Sequence, residues 1–80
     1  MKWKFEVSGR ADVWVFEGAG IRAIVVFGHV NNPEQWVLSC YRLGIDTVEL
    51  KGCRTADEAK VSAEKQIRQT IKEILQSLDA

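Results

Sequence analysis

No charge of either sign is in excess in this chain: eleven basic and eleven acidic residues cancel. The balance is local as well, with seven basic and six acidic residues before Thr55 and four and five from there on. A polybasic footprint for nucleic acid or an anionic membrane is therefore missing. No apolar run approaches the roughly 20 residues of a membrane span, and the first residues lack the charged, apolar and small segments of a secretory leader. A cytoplasmic protein without membrane association is expected. Histidine occurs once, as His29. A metal would need further His, Cys or carboxylate ligands at short spacing, and none is near. Gly18-Ala19-Gly20 lacks the rest of any phosphate-loop signature and reads as a turn.

Cysteine occurs twice, as Cys40 and Cys53. In a hairpin turning at Gly44, Cys40 faces a position near 48, which leaves Cys53 roughly 15 Å away at strand rise. A disulfide needs Cα atoms within about 7 Å, so both are expected as free thiols in a reducing compartment. Cys40 could form a nucleophile–base pair with His29 if the two face each other across the Asn31–Glu34 turn. A domain this small has little room for the oxyanion donors and substrate pocket such a pair needs. No catalytic residue, cofactor or metal is expected, and the chain does not read as an enzyme.

Hydrophobic residues make up 46% of the chain and tryptophan occurs three times, enough for a packed core. The stretch from Thr55 to Leu78 is the long helical segment. Thr55-Ala56-Asp57-Glu58 has the capping-box form, and Asp57 and Glu58 put negative charge at the positive end of the helix dipole. Ala56, Ala59, Ala63, Ile67, Thr70, Ile71, Ile74 and Leu78 recur at three- and four-residue steps, giving one apolar stripe. Lys60, Glu64, Lys65, Arg68, Lys72 and Glu73 form the opposite face, with Lys60–Glu64 and Glu64–Arg68 spaced for pairing. The alanines predict a close approach to the sheet at the N-terminal end, and the bulky residues predict deeper packing near Ile71–Leu78.

Before the helix the chain alternates in strand fashion. Trp3, Phe5 and Val7 face in, while Lys2, Lys4 and Glu6 face solvent. Ser8-Gly9-Arg10 is a turn, Asp12–Glu17 a second strand and Ile21–Val30 a third, the latter two apolar on both faces. Asn31-Asn32-Pro33-Glu34 breaks the third strand. Gln35–Leu43 reads as a strand by its residue types. Asn32 as N-cap, Pro33 at the first helical position and Gly44 after the end would also punctuate a short helix. Ile45–Lys51 is a further strand with Val48 and Leu50 inward.

The expected architecture is a single α+β domain over residues 1–80: an antiparallel meander of four or five strands with one long C-terminal helix packed on one face. One helix covers one face, yet the middle strands are apolar on both, so one set of residues is expected to stay exposed and to serve an interaction. The candidates are Trp14, Phe16, Ile24, Val26 and Trp36, on the sheet face opposite the helix, for a homodimer or a protein partner. The alternative is a single-stranded nucleic-acid module in which Trp3, Trp14, Phe16 and Trp36 stack bases beside Lys2, Lys4, Arg22 and Arg42.

Two family resemblances bear on that alternative. A meander followed by one helix is similar in outline to the positive cofactor four family of single-strand DNA-binding coactivators, and Asn32-Pro33-Glu34-Gln35-Trp36 resembles a helix-opening string found there. In this chain the string precedes a further strand, and the basic sheet of that family is missing. The closing strand–strand–helix resembles the second half of a double-stranded RNA-binding domain, but Asp57-Glu58-Ala59-Lys60 stands where that family has a lysine cluster. Neither function carries over. The run through Trp36, Gly44 and Thr55–Ala59 resembles short bacterial and phage reading frames, which carries no function with it.

Overall fold

The computed structural model describes residues 1–8, 11–29 and 32–79. Five strands, β1 (Lys4–Ser8), β2 (Ala11–Gly18), β3 (Ile21–His29), β4 (Asn32–Cys40) and β5 (Ile45–Glu49), precede one helix, α1 (Ala56–Asp79). The strands pair antiparallel in chain order, so the sheet is a meander with β1 and β5 at its edges. The expected turn at Ser8–Arg10 and the end of the third strand at Val30 lie, wholly or in part, outside the described residues. Of the expected Asn31–Glu34 break, Asn31 lies outside them, while Asn32, Pro33 and Glu34 already belong to β4.

The segment that admitted two readings is a strand. Trp36, Leu38 and Cys40 point to one face and Val37 to the other, and all four are buried. A short helix could not bury both sides of this segment between β3 and β5. Helical geometry survives only in one 3₁₀ turn at Tyr41–Leu43, closed by the Gly44 amide donating to the Tyr41 carbonyl at 3.0 Å. Gly44 is left-handed, at φ 74°. The β2–β3 hairpin turns on Ala19 (φ 51°) and Gly20 (φ 77°), the double left-handed form whose twist matches that of paired strands. Between Leu38 and Cys40 the β4–β5 register slips by one residue, beside Thr47 at φ 52°. That bulge lets Ile45, opposite Cys40, and Val48, opposite Leu38, share the inner face. Val48 remains exposed there because β5 is an edge.

The helix starts as its sequence indicates, with one difference in the cap. The Glu58 amide donates to the Thr55 hydroxyl at 3.2 Å, but the Glu58 carboxylate accepts from that hydroxyl (3.4 Å) instead of reaching back to the Thr55 amide. Ala59 and Ala63 lie flat on the core of Ala23, Val25, Leu38 and Cys40, all without solvent contact. Lys60 and Glu64, expected on the solvent face, flank this contact and fasten it. The Lys60 ammonium sits 3.7 Å above the Trp14 ring, and the Trp3 indole N–H donates to the Glu64 carboxylate at 3.0 Å. Lys60 pairs with Asp57 (3.2 Å), not Glu64.

These two anchors fix where the helix leaves the sheet. Trp3 stands beside Phe16, two residues beyond Trp14 along β2. Four helix residues (about 6 Å) therefore track two strand residues (about 6.6 Å). β2 ends two residues further on, at Gly18, so the sheet runs out beneath roughly residue 68. The burial pattern agrees. Ile67 is fully buried, whereas Ile71, Ile74, Leu75 and Leu78 are 36, 41, 57 and 76% exposed. The deep packing expected near Ile71–Leu78 is not there; the last three turns overhang the end of the sheet.

Truncating Ile67 to Ala is expected to destabilise the monomer by about 2–4 kcal/mol, and Ile74→Ala by less than about 0.5 kcal/mol. Chemical unfolding at low micromolar concentration measures both. Equal losses at the two positions would contradict this path for α1.

Candidate interaction surface

The five residues expected to share an exposed face are divided between two. Trp14, Phe16 and Trp36 lie on the helix side: Trp36 is in the core, and Trp14 and Phe16 pack against it. Their register explains it, since Trp14 pairs with Val25 and Phe16 with Ala23, the residues beneath the alanines of α1. Aromatic side chains fill the height beside a helix that approaches closely over alanine. Only Ile24 and Val26 face the other way.

That opposite face is less bare than its composition suggests. Its centre is Val13, Val15 and Val37, all buried, with Ile24 and Val26 half-buried between them. The cover comes from side chains of the sheet itself. Arg22 reaches Glu17 on β2 (3.5 Å) and Glu6 on β1 (4.0 Å), crossing the line of valines between them. Long charged side chains shield apolar surface with their stems while their heads stay in water. At the Trp3 end of this face, Lys2, Lys4, Glu6, Val15 and Glu17 line an open depression of about 360 Å³ with Trp3 at its rim.

The larger uncovered apolar surface is on α1. Ile71, Ile74, Leu75 and Leu78 follow one another at three-, one- and three-residue steps, on the same side of the helix as Ile67. Leu75, four residues after Ile71, widens the stripe and was absent from the pattern read in the sequence. The stripe faces the side where the sheet would be if it extended further. Two exposed aromatics, Phe5 and Phe27, stack on Trp14 and Trp36 with centroids 5.0 and 5.2 Å apart, on the part of the inner face that α1 does not cross. The Trp36 indole N–H is buried and has no hydrogen-bond partner among the described residues.

Set against family models, curated proteins and solved structures, the chain finds no match in any of the three. The reading of its surface rests on its own geometry.

That geometry assembles no catalytic constellation from the residues considered for one. Cys40 lies next to Ala23 at the start of β3, since Ser39 pairs with Ile24, while His29 closes the same strand some 20 Å away at strand rise. The His29 side chain lies outside the described residues. Among the described residues no group of three or more His, Cys, Asp or Glu side chains is placed to hold a metal ion. Cys40 pairs with Ile45, not with a residue near 48, and both cysteines are free. Among the described residues no helix is long and apolar enough to cross a membrane.

Burial pushes the Cys40 thiol above its ordinary value of 9.0, against a smaller opposing effect of a backbone hydrogen bond with Leu43. The folded state thus favours the neutral thiol. Its contribution to stability is complete below the unfolded-state value and is lost as pH rises through the folded one. A maleimide at neutral pH is expected to label the half-buried Cys53 readily and Cys40 only on unfolding. Above pH 9, stability should fall more steeply in the native chain than in Cys40→Ala. Rapid labelling of both thiols in the folded chain would contradict this.

Proposed function

We propose that this chain is a small non-enzymatic interaction module that homodimerises or docks a protein partner, and that its docking surface is the overhanging stripe of α1. The observation that carries the reading is the exposure of Ile71, Ile74, Leu75 and Leu78 in one row beyond the end of the sheet. A small domain gains little by leaving four bulky aliphatic side chains in water, and contiguous patches of this kind mark association sites. The open sheet face is the lesser surface: Ile24 and Val26 are flanked by Arg22, Glu6 and Glu17, a composition suited to the polar rim of an interface. A cytoplasmic, reducing setting belongs to the same proposal and is supported by the two unpaired cysteines.

The alternative, single-stranded nucleic-acid binding on sheet aromatics, is the less favoured reading, because Trp36 is in the core and Trp14 and Phe16 pack against it beside α1. A fluorescent oligothymidylate at physiological ionic strength is expected to show no saturable anisotropy change. A salt-dependent change abolished by Phe5→Ala or Phe27→Ala would restore that reading.

The stripe itself is tested by Ile74→Lys with Leu78→Lys, compared with Ile24→Lys. The helix double variant should keep the thermal midpoint of the dilute native chain to within about 3 °C and lose any association seen by light scattering. Ile24→Lys should keep that association. A midpoint lowered by about 10 °C or more in the dilute helix variant would mean that the stripe belongs to the fold.

A further inference from the structure

We infer that the occupant of the overhanging stripe is a second copy of this chain, packed antiparallel through the same stripe about a two-fold axis near Glu73. The inference rests on the interaction reading above and specifies the partner and its geometry.

Three features of α1 favour a second copy in this orientation. First, the stripe is continuous with the core. It lies on the side of the helix that carries Ala59, Ala63 and Ile67, and it lacks cover because β2 stops at Gly18. The overhang of a second copy has the same length and the same apolar side, so each overhang covers the other and the contact closes on itself. Ile71, Ile74 and Leu78 follow at three- and four-residue steps, the spacing of a helix–helix seam. An axis near Glu73 places Ile71 of one copy opposite Ile74 of the other.

Second, charge is distributed unevenly along the overhang. Along it Arg68 and Lys72 precede Glu73 and Asp79. A parallel pair would set Arg68 beside Arg68 and Asp79 beside Asp79, whereas an antiparallel pair sets the Arg68 end of each helix along the Asp79 end of the other. Arg68 and Asp79 stand about three turns apart on one side of the helix, too far to meet within a chain. Both are exposed, and among the described residues neither makes an ion pair. The same axis brings Arg68 of each copy within reach of Asp79 of the other, twice by symmetry.

Third, the end of the sheet offers a seat for the incoming helix tip. The Tyr41–Leu43 turn closes β4 at the end over which α1 departs, and it touches α1. Tyr41 is largely exposed and Leu43 only half-buried. An overhang of roughly 16 Å on a helix about 10 Å wide supplies less than the ~800 Å² per partner of a standard interface. With the tip seated against Tyr41 the pair becomes a reversible dimer, with a dissociation constant on the order of micromolar.

The test is sedimentation equilibrium of the full chain and three variants, Arg68→Glu, Asp79→Arg and the two combined. None of these touches the core. The native chain should pass from monomer to dimer over the micromolar range. Each single reversal should weaken the dimer roughly tenfold, and the double reversal should restore it to within about twofold of the native value. Because Arg68 and Asp79 cannot meet within one helix, restoration requires the crossed pairing between copies. A native chain that stays monomeric into the hundreds of micromolar would overturn the second copy and leave the stripe to a different protein. A dimer lost in Ile74→Lys with Leu78→Lys, but not restored by the double reversal, would overturn the antiparallel arrangement alone. A dimer indifferent to every α1 substitution would overturn both this inference and the reading it rests on.

Discussion

The structure depends on the contact of two alanines with a sheet. Ala59 and Ala63 let the backbone of α1 come down onto Ala23, Val25 and Leu38 with no solvent between them. A helix seated that low needs walls, and the walls are the large residues of the inner face: Trp3, Trp14 and Phe16 on one flank, with Trp36 in the core. Lys60 over the Trp14 ring and Glu64 on the Trp3 indole then hold the helix in azimuth. Each group is partly shielded from water, so these contacts exceed exposed ion pairs in worth and define a direction as well as an attachment. Direction matters because the sheet is short. The helix outruns it, and its remaining turns carry their apolar side into solvent.

The two faces of the sheet solve the problem of cover differently. The inner face uses the helix and aromatic side chains. The outer face uses small β-branched residues, Val13, Val15 and Val37, with Arg22 reaching Glu17 and Glu6 across the valines of β2. A valine floor below a charged roof leaves little apolar surface free. Free apolar surface is thereby reduced on a face where a zero net charge gives little protection from non-specific pairing.

The fold was legible in the sequence to the extent that local patterns controlled it. The glycine-rich β2–β3 turn and the Thr55 cap each depend on neighbours a few residues away, and each is present. The first segment is a strand as its pattern indicates, but Phe5, expected inward, is exposed on this edge. The fourth strand was ambiguous because Asn32-Pro33 and Gly44 suit a helix as well. Burial on both sides of the segment decides it, and that burial exists only once β3 and β5 are in place. Which aromatic residues lie under the helix was not legible. Trp14 and Phe16 on one side and Val13 and Val15 on the other are equally apolar patterns, and only the pairing of Trp14 with Val25 under Ala59 and Ala63 separates them. The exposure of Ile71–Leu78 was hidden for a related reason. An apolar stripe shows which side of a helix is to be covered, but the length of the cover is set by where β2 ends. A comparison of strand and helix lengths, about 3.3 Å against 1.5 Å per residue, was the one cue available.

The central claim, that association uses the overhang of α1 and not the sheet, is most directly tested by backbone amide spectra of the isotopically labelled chain recorded over a dilution series. Concentration-dependent shifts confined to residues 68–79 and the Tyr41–Leu43 turn, with Ile24 and Val26 unmoved, are the predicted result. Shifts centred on Ile24, Val26 and Arg22 with a silent helix end would contradict it.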